Sequence, residues 1–306
     1  MKHFISIAEY PTQTLVRLLD VAEQLKRQYK ITGHNDPILA GKTLALIFEK
    51  PSLRTRVSFT TAMTHLGGAS MYLRNEEVGM DIREPVKDVA RVLASMCDGI
   101  MARTFSHERM LTLAKWSSVP VISGLTDYSH PCQAMTDMMT IREHFGSLQG
   151  RTVAFIGDGN NVARSLSIAC GKLGVRFILA SPKGYELPKD DVDQIMSQVP
   201  DMDFSVTDDP QGAVRDADVL YTDTWVSMGQ EKEKAQRLQD FNGYCIDEQL
   251  VAAAPAHAIV LHCLPAYRGL EITEAVLEGP QSHIFQQAEN RLHFQKGLLA
   301  ILLGGM

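Results

Sequence analysis

Five consecutive residues, Ser52-Leu53-Arg54-Thr55-Arg56, bring two hydroxyls and two guanidiniums together. They lie between an apolar run, Thr43–Phe48, and a segment with helical apolar spacing at Val57, Phe59, Ala62, Met63 and Leu66. A turn that opens a helix offers free backbone N–H groups and the positive end of the helix dipole. With hydroxyls and guanidiniums added, such a turn is a cradle for a phosphate. The structural reading of the same residues is an N-capped helix with surface arginines. Arg54 and Arg56 are two apart and cannot share a helix face. One is therefore expected to face a ligand and the other to pair inside the protein.

Other reactive side chains also follow strand-like runs. Arg103-Thr104 comes after Gly99–Ala102, and His130-Pro131-Cys132-Gln133 after Val119–Ser123. Asp158-Gly159-Asn160-Asn161 comes after Thr152–Ile156, Asp223 and Ser227-Met228-Gly229 after Val219–Thr222, and Cys263-Leu264-Pro265 after Ala258–His262. Each has a structural reading too: a capped turn for His130, a first-turn residue for Gln133, a capping Asp for Asp223, and packing for Cys132 and Cys263.

Two glycine motifs do not carry the chemistry they suggest. Gly41-Lys42-Thr43 precedes a strand, and Asp36 stands where a phosphate loop needs its first glycine. Gly157-Asp158-Gly159 has Val162 at the third position of the dinucleotide fingerprint. The next strand ends in Ala180-Ser181-Pro182, with no acid for a ribose.

The elements that must position these groups alternate. Strand-like runs and helical patterns follow one another through all 306 residues. This predicts an α/β protein with two doubly wound parallel-sheet domains linked by helices. The break is placed near Gly146–Gly150, giving domains 1–146 and 147–290, with a last helix from about Arg291 to Leu303 packing back on the first. Ligands are expected outside the carboxyl ends of the strands, where the reactive residues concentrate.

Composition narrows the class. Hydrophobic residues make up 45% and charged residues 22%, which excludes a disordered chain. The net charge of −6 argues against a nucleic-acid binder. No apolar run is long enough for a membrane span, and no signal peptide is expected. The five cysteines are widely spaced without a C-x-x-C, so a reduced, cytoplasmic protein is expected, with no protein-built metal site.

Six motifs occur in order: Pro51-Ser52-x-Arg54-Thr55-Arg56, Met101-Ala102-Arg103-Thr104, His130-Pro131-Cys132-Gln133, Asp223-x-x-x-Ser227-Met228-Gly229, His262-Cys263-Leu264-Pro265 and Ala288-Glu289-Asn290-Arg291. In this the chain resembles the aspartate/ornithine carbamoyltransferase family over nearly its whole length. The Ser-Met-Gly and His-Cys-Leu-Pro motifs resemble its ornithine branch. The resemblance implies transfer of a carbamoyl group from carbamoyl phosphate to the δ-amine of L-ornithine, giving L-citrulline and phosphate. It implies no cofactor or metal, two domains that close over the substrates, and a homotrimer or a multiple of trimers.

Site residues carry over by motif. The resemblance implies carbamoyl phosphate at Ser52, Leu53, Arg54, Thr55, Arg103, His130, Gln133, Cys263, Leu264 and Arg291. It implies ornithine at Asn161, Asp223, Ser227 and Met228, and catalytic roles for Arg103, His130, Asp223 and Cys263. Asn160 is expected to fix its turn. Two positions depart from the family pattern. Leu53 stands where a Thr is frequent, which matters little if only its backbone N–H is used. Gly79 stands where a Gln often reaches a neighbouring subunit, so that contact is not expected. The rival substrates are putrescine, which has no carboxylate for Asn161, N-acetylornithine, and aspartate, whose branch carries Pro-Leu-Pro-Arg where this chain has Cys263-Leu264-Pro265. A non-catalytic relative is disfavoured by the intact Arg54, Arg103, His130, Asp223 and Cys263.

Overall fold

The computed structural model describes residues 1–227 and 229–306. The first elements in chain order are α1 (Thr12–Thr32), β1 (Thr43–Phe48), α2 (Leu53–His65), β2 (Ala69–Arg74), α3 (Asn75–Val78), α4 (Val86–Met96), β3 (Gly99–Arg103), α5 (His107–Trp116), β4 (Val121–Leu125) and α6 (Pro131–Phe145). Then come β5 (Thr152–Ile156), α7 (Asn161–Lys172), β6 (Arg176–Ala180), α8 (Lys189–Gln198), β7 (Phe204–Thr207), α9 (Pro210–Val214) and β8 (Val219–Thr222). The last are α10 (Lys234–Asp240), α11 (Glu248–Ala253), β9 (Ile259–His262), α12 (Glu274–Leu277) and α13 (Ile284–Gly304).

Two compact units form, Met1–Met139 with Glu289–Met306, and Thr140–Ala288. The first has a parallel sheet in the order β2-β1-β3-β4; the second has one in the order β7-β6-β5-β8-β9. Inner strands such as β1 and β5 read as unbroken apolar runs because helices cover both faces. Strand order reverses between β1 and β3, and again between β5 and β8. Each reversal opens a crevice at the strands' carboxyl ends. The Ser52 turn follows β1 and Arg103 ends β3; the Asp158–Asn161 turn follows β5 and Asp223 follows β8.

The division falls within α6 after Met139 and within α13 after Ala288, against expected breaks after residues 146 and 290. The last turn of α6 belongs to the second unit by its contacts. Gln286 Nε2 donates to Glu143 Oε2 at 3.2 Å, His144 packs edge-on to His283, and Phe145 meets His257.

Three expectations need correction. The last helix begins at Ile284, seven residues before Arg291, so Arg291 lies inside it. β4 begins at Val121, two residues later than Val119, because Pro120 has no N–H to pair. α1 is absent from the sequence-based expectations, although Leu15, Leu18, Leu19, Ala22 and Leu25 have helical spacing and form its buried face. It stops at Gly33, whose φ of 76° suits glycine and whose N–H reaches the Tyr29 carbonyl. α1 packs closely on α13: a Cβ added at Gly297 would lie 2.8 Å from the Ala22 backbone.

Candidate active site

In the first unit, Ser52 is the N-cap of α2. Its extended backbone starts the helix and its Oγ accepts from the Thr55 N–H at 3.4 Å. Its hydroxyl also meets Thr55 Oγ1 at 3.1 Å. The capping reading therefore holds, and the cap leaves the first amides of α2 at the open end of the helix, as a phosphate cradle would require. Leu53 points out, 75% exposed, so only its backbone faces the turn. Arg56 corrects an expectation, since it does not pair inside the protein. It is exposed and lies over the Tyr72 ring at 3.9 Å. Arg54 is half-buried, and its charge acts on His130.

Thr55 is fully buried, and its Oγ1 accepts from Arg291 Nη2 at 3.1 Å. Arg291 Nη1 donates to Gln133 Oε1 at 2.6 Å, and Gln133 Nε2 donates to Asp137 Oδ1 at 2.8 Å. This chain of bonds fixes Gln133 with its carbonyl taken by a guanidinium. His130 lies at the start of α6 and is buried. Burial, then the charges of Arg291, Arg103 and Arg54, holds its pKa well below the usual 6.5. The imidazole is thus neutral at neutral pH, a donor that adds no charge. Cys132 is a packing residue: its thiol reaches the Ser123 carbonyl at 3.4 Å, and burial pushes its pKa up to about 12.

In the second unit, Asn160 caps α7, accepting from the Val162 and Ala163 N–H groups at 2.9 and 3.1 Å. Its amide donates to Asp223 Oδ2 at 2.9 Å, so one side chain starts the helix and aims the carboxylate. The other oxygen, Oδ1, accepts from Cys263 Sγ at 3.1 Å. Asn161 and Ser227 are half-buried nearby in the chain, and the Ser227 N–H is held by Gln230 Oε1 at 3.0 Å. Met228 lies outside the described residues. Leu264 takes a left-handed φ of 58°, uncommon for a leucine, and its N–H donates to His262 Nδ1 at 2.8 Å.

Ligand atoms of Asp223, His262 and Cys263 lie within 4.8 Å of one another. His262 has no lone pair to spare for a cation. Its Nδ1 accepts from Leu264, so its Nε2 carries the proton and donates to Glu271 Oε1 at 3.1 Å. Within the trio, Cys263 is hydrogen-bonded to Asp223, while His262 is held by Leu264 and Glu271. Of the residues expected at carbamoyl phosphate, Ser52 through Thr55, Arg103, His130, Gln133 and Arg291 stand in the first unit. Cys263 and Leu264 stand in the second, with the ornithine set.

Residues 2–143 match the aspartate/ornithine carbamoyltransferase carbamoyl-P binding domain, and residues 149–302 match the Asp/Orn binding domain of the same family. The chain belongs to the aspartate/ornithine carbamoyltransferase family. It is 49% identical to an ornithine carbamoyltransferase of Prochlorococcus marinus, covering 100% of this chain and 95% of the relative. Against that of Methanopyrus kandleri it is 48% identical, covering 99% and 97%. Its fold superposes on ornithine carbamoyltransferase from Pyrococcus furiosus with a TM-score of 0.96 at 44% identity, covering 100% and 98% of the two chains. For the anabolic ornithine carbamoyltransferase of Campylobacter jejuni the TM-score is 0.92 at 40% identity, with 99% of each chain covered.

Within this carbamoyltransferase chain, two side chains beside the expected set escaped the sequence reading. Lys50 is buried with its Nζ 4.1 Å from the Phe105 ring centre. Burial, then Arg103, lowers its pKa, against the pull of Asp127 and Glu49. Its place between β1 and the phosphate turn was the available signal. Arg237 is the other, and nothing local in the sequence marks it.

Proposed function

We propose that this protein is an ornithine carbamoyltransferase, moving the carbamoyl group of carbamoyl phosphate to the δ-amine of L-ornithine to give L-citrulline and phosphate. The observation that carries this is the full-length match to ornithine carbamoyltransferases at 49% identity, in a chain whose Ser52, Thr55, Arg291 and Gln133 are joined by hydrogen bonds beside the buried His130. Attack by an amine turns the carbamoyl oxygen into an oxyanion. A site preset with positive charge and a neutral donor stabilises that charge as it develops. In this reading Arg103, His130 and Thr55 face the carbonyl oxygen. Ser52, the Leu53 backbone, Arg54, Thr55 and Arg103 take the phosphate, and Gln133 with Arg291 takes the carbamoyl end. The C–N bond forms as the C–O bond to phosphate breaks, and the departing phosphate takes the amine's surplus proton.

Ornithine's α-ammonium is assigned to Asp223 and Ser227 and its α-carboxylate to Asn161. Cys263 and Leu264 are assigned to the δ-amine and the carbamoyl group. We further propose a homotrimer working in the cytoplasm, on the motif resemblance and on the five widely spaced cysteines without a C-x-x-C. The test is citrulline formation by the purified protein with L-ornithine, putrescine, N-acetylornithine or aspartate as acceptor, with mass by light scattering alongside. Ornithine should exceed the others by orders of magnitude. Comparable rates with putrescine would remove the α-group assignments.

A further inference from the structure

Arg237 lies on α10 and is buried, yet no substrate role has been assigned to it. Its guanidinium joins separate stretches of chain. Nη1 donates to the Trp225 carbonyl at 3.0 Å and stands 3.2 Å from Asp158 Oδ1, while Nε donates to Glu233 Oε2 at 2.9 Å. Its Cζ lies over the Tyr185 ring, 4.9 Å from the ring centre. Tyr185 is tied down in turn: its carbonyl accepts from the Gly159 N–H and its hydroxyl donates to Asp240 Oδ2, both at 2.7 Å.

The two ends of this clamp are functional segments. Asp158 belongs to the turn that carries Asn160 and Asn161. Trp225 is two residues before Ser227, with its ring stacked on Phe241 at 5.5 Å. A planar cation with several fixed donors can hold all these partners at once. A lysine's single ammonium cannot.

We propose that Arg237 is the positioning residue of the ornithine half-site, fixing the Trp225–Ser227 segment against the Asp158–Asn161 turn so that the α-ammonium and α-carboxylate are recognised together. The proposal deepens the function above and rests on it. Asp158 supplies a handle on the clamp. Burial pushes its carboxyl up to about 6 against the pull of Arg237, with Asp223 and Glu233 pushing it the same way as burial. When Asp158 takes a proton, Arg237 loses a charged partner and keeps the Trp225 carbonyl and Glu233. Affinity for the α-groups should therefore fall as the pH drops through about 6.

The probe is L-norvaline, which has ornithine's α-groups and three-carbon chain but no δ-amine. Nothing on it titrates between about pH 5 and 8. Its inhibition constant is measured against ornithine with carbamoyl phosphate saturating. Citrulline formation by the unaltered protein stands as the separate test of the function. Arg237→Met should raise the norvaline constant and the ornithine KM by about tenfold or more, and move the carbamoyl phosphate KM by less than about twofold. Arg237→Lys should fall between that variant and the parent. Asp158→Asn keeps an acceptor for Nη1 and should abolish the loss of norvaline affinity near pH 6. A folded Arg237→Met with an unchanged norvaline constant, or with both KM values raised together, overturns the proposal. If that variant does not fold, Asp158→Asn with the parent's pH dependence overturns it.

Discussion

At the scale of single residues, the Ser52–Arg56 turn separates side chains to which the proposal gives a role from one that only occupies a position. Leu53 is exposed and offers its backbone alone, whereas Arg54 is half-buried with its charge on His130. Arg54→Ala should cost about 1.5–3 kcal/mol of transition-state stabilisation, roughly tenfold to more than a hundredfold in kcat/KM for carbamoyl phosphate. Leu53→Thr should change that ratio by less than about twofold; the reverse ranking would place the cradle elsewhere. Cys263 is the residue whose role the bonds sharpen most, since its thiol donates to a carboxylate oxygen and is a ligand of Asp223 first. Ornithine's δ-amine, with a reference pKa of about 10.4, must lose its proton before it attacks. The parent's kcat/KM for ornithine should therefore climb from pH 6 to 9. Cys263→Ser should lower it about tenfold or more while sparing the carbamoyl phosphate KM. An unaltered rate and profile would return Cys263 to packing.

Among the elements, α2 and α7 begin alike. Each starts after a strand at a reversal of strand order, with a polar side chain that caps the helix and also meets a site residue: Ser52 with Thr55, Asn160 with Asp223. The caps make these local folds legible, because a capping residue after an apolar run is a sequence signal. The second contact of each cap is not legible, since Asp223 is 63 residues from Asn160. Replacing Asn160 tests the two functions separately. Asn160→Asp keeps the cap but sets a carboxylate against Asp223 Oδ2, so Tm should stay near the parent's while the ornithine KM rises about tenfold. Asn160→Ala should lose both, with about 1–2 kcal/mol of stability. If Asn160→Asp bound ornithine normally, the Asn160–Asp223 bond would have no part in recognition.

For the whole molecule, the first unit is closed by the end of the chain. α13 brings buried Phe294, Leu298, Leu299 and Ala300 into it along with Arg291, and Gly297 allows its close approach to Ala22. Gly297→Ala would push the helices apart, costing about 1–3 kcal/mol, and calorimetry should show a lower Tm. An unchanged Tm would mean that the contact yields freely. Acid has opposing effects. His293 is held at about 4 by burial, against its usual 6.5, so between those values the unfolded chain binds a proton that the folded chain refuses. Stability then falls as pH drops, and His130 adds in the same direction. Asp158 is raised from 3.8 to about 6, so the folded chain binds its proton first and acidification favours the fold. Asp158→Asn removes that opposing contribution. Its urea midpoint should drop more steeply than the parent's from pH 6.5 to 4.5, and equal slopes would show that Asp158 is not raised.

The alternation of apolar runs and helical spacing was enough to predict the parallel architecture, because burial on both faces leaves its mark in inner strands such as β1 and β5. The motif order was enough to point to the family. What a side chain does inside its motif was decided by tertiary contacts. Arg56 went to the Tyr72 ring, Gln133 to Arg291 158 positions away, and Cys263 to Asp223 40 positions back. Arg237 has no motif at all, and its importance comes from Asp158 and Trp225 converging on one guanidinium. Periodicity records which face of an element is buried. A hydrogen bond between distant residues depends on where the fold carries both ends, and no local pattern holds that information.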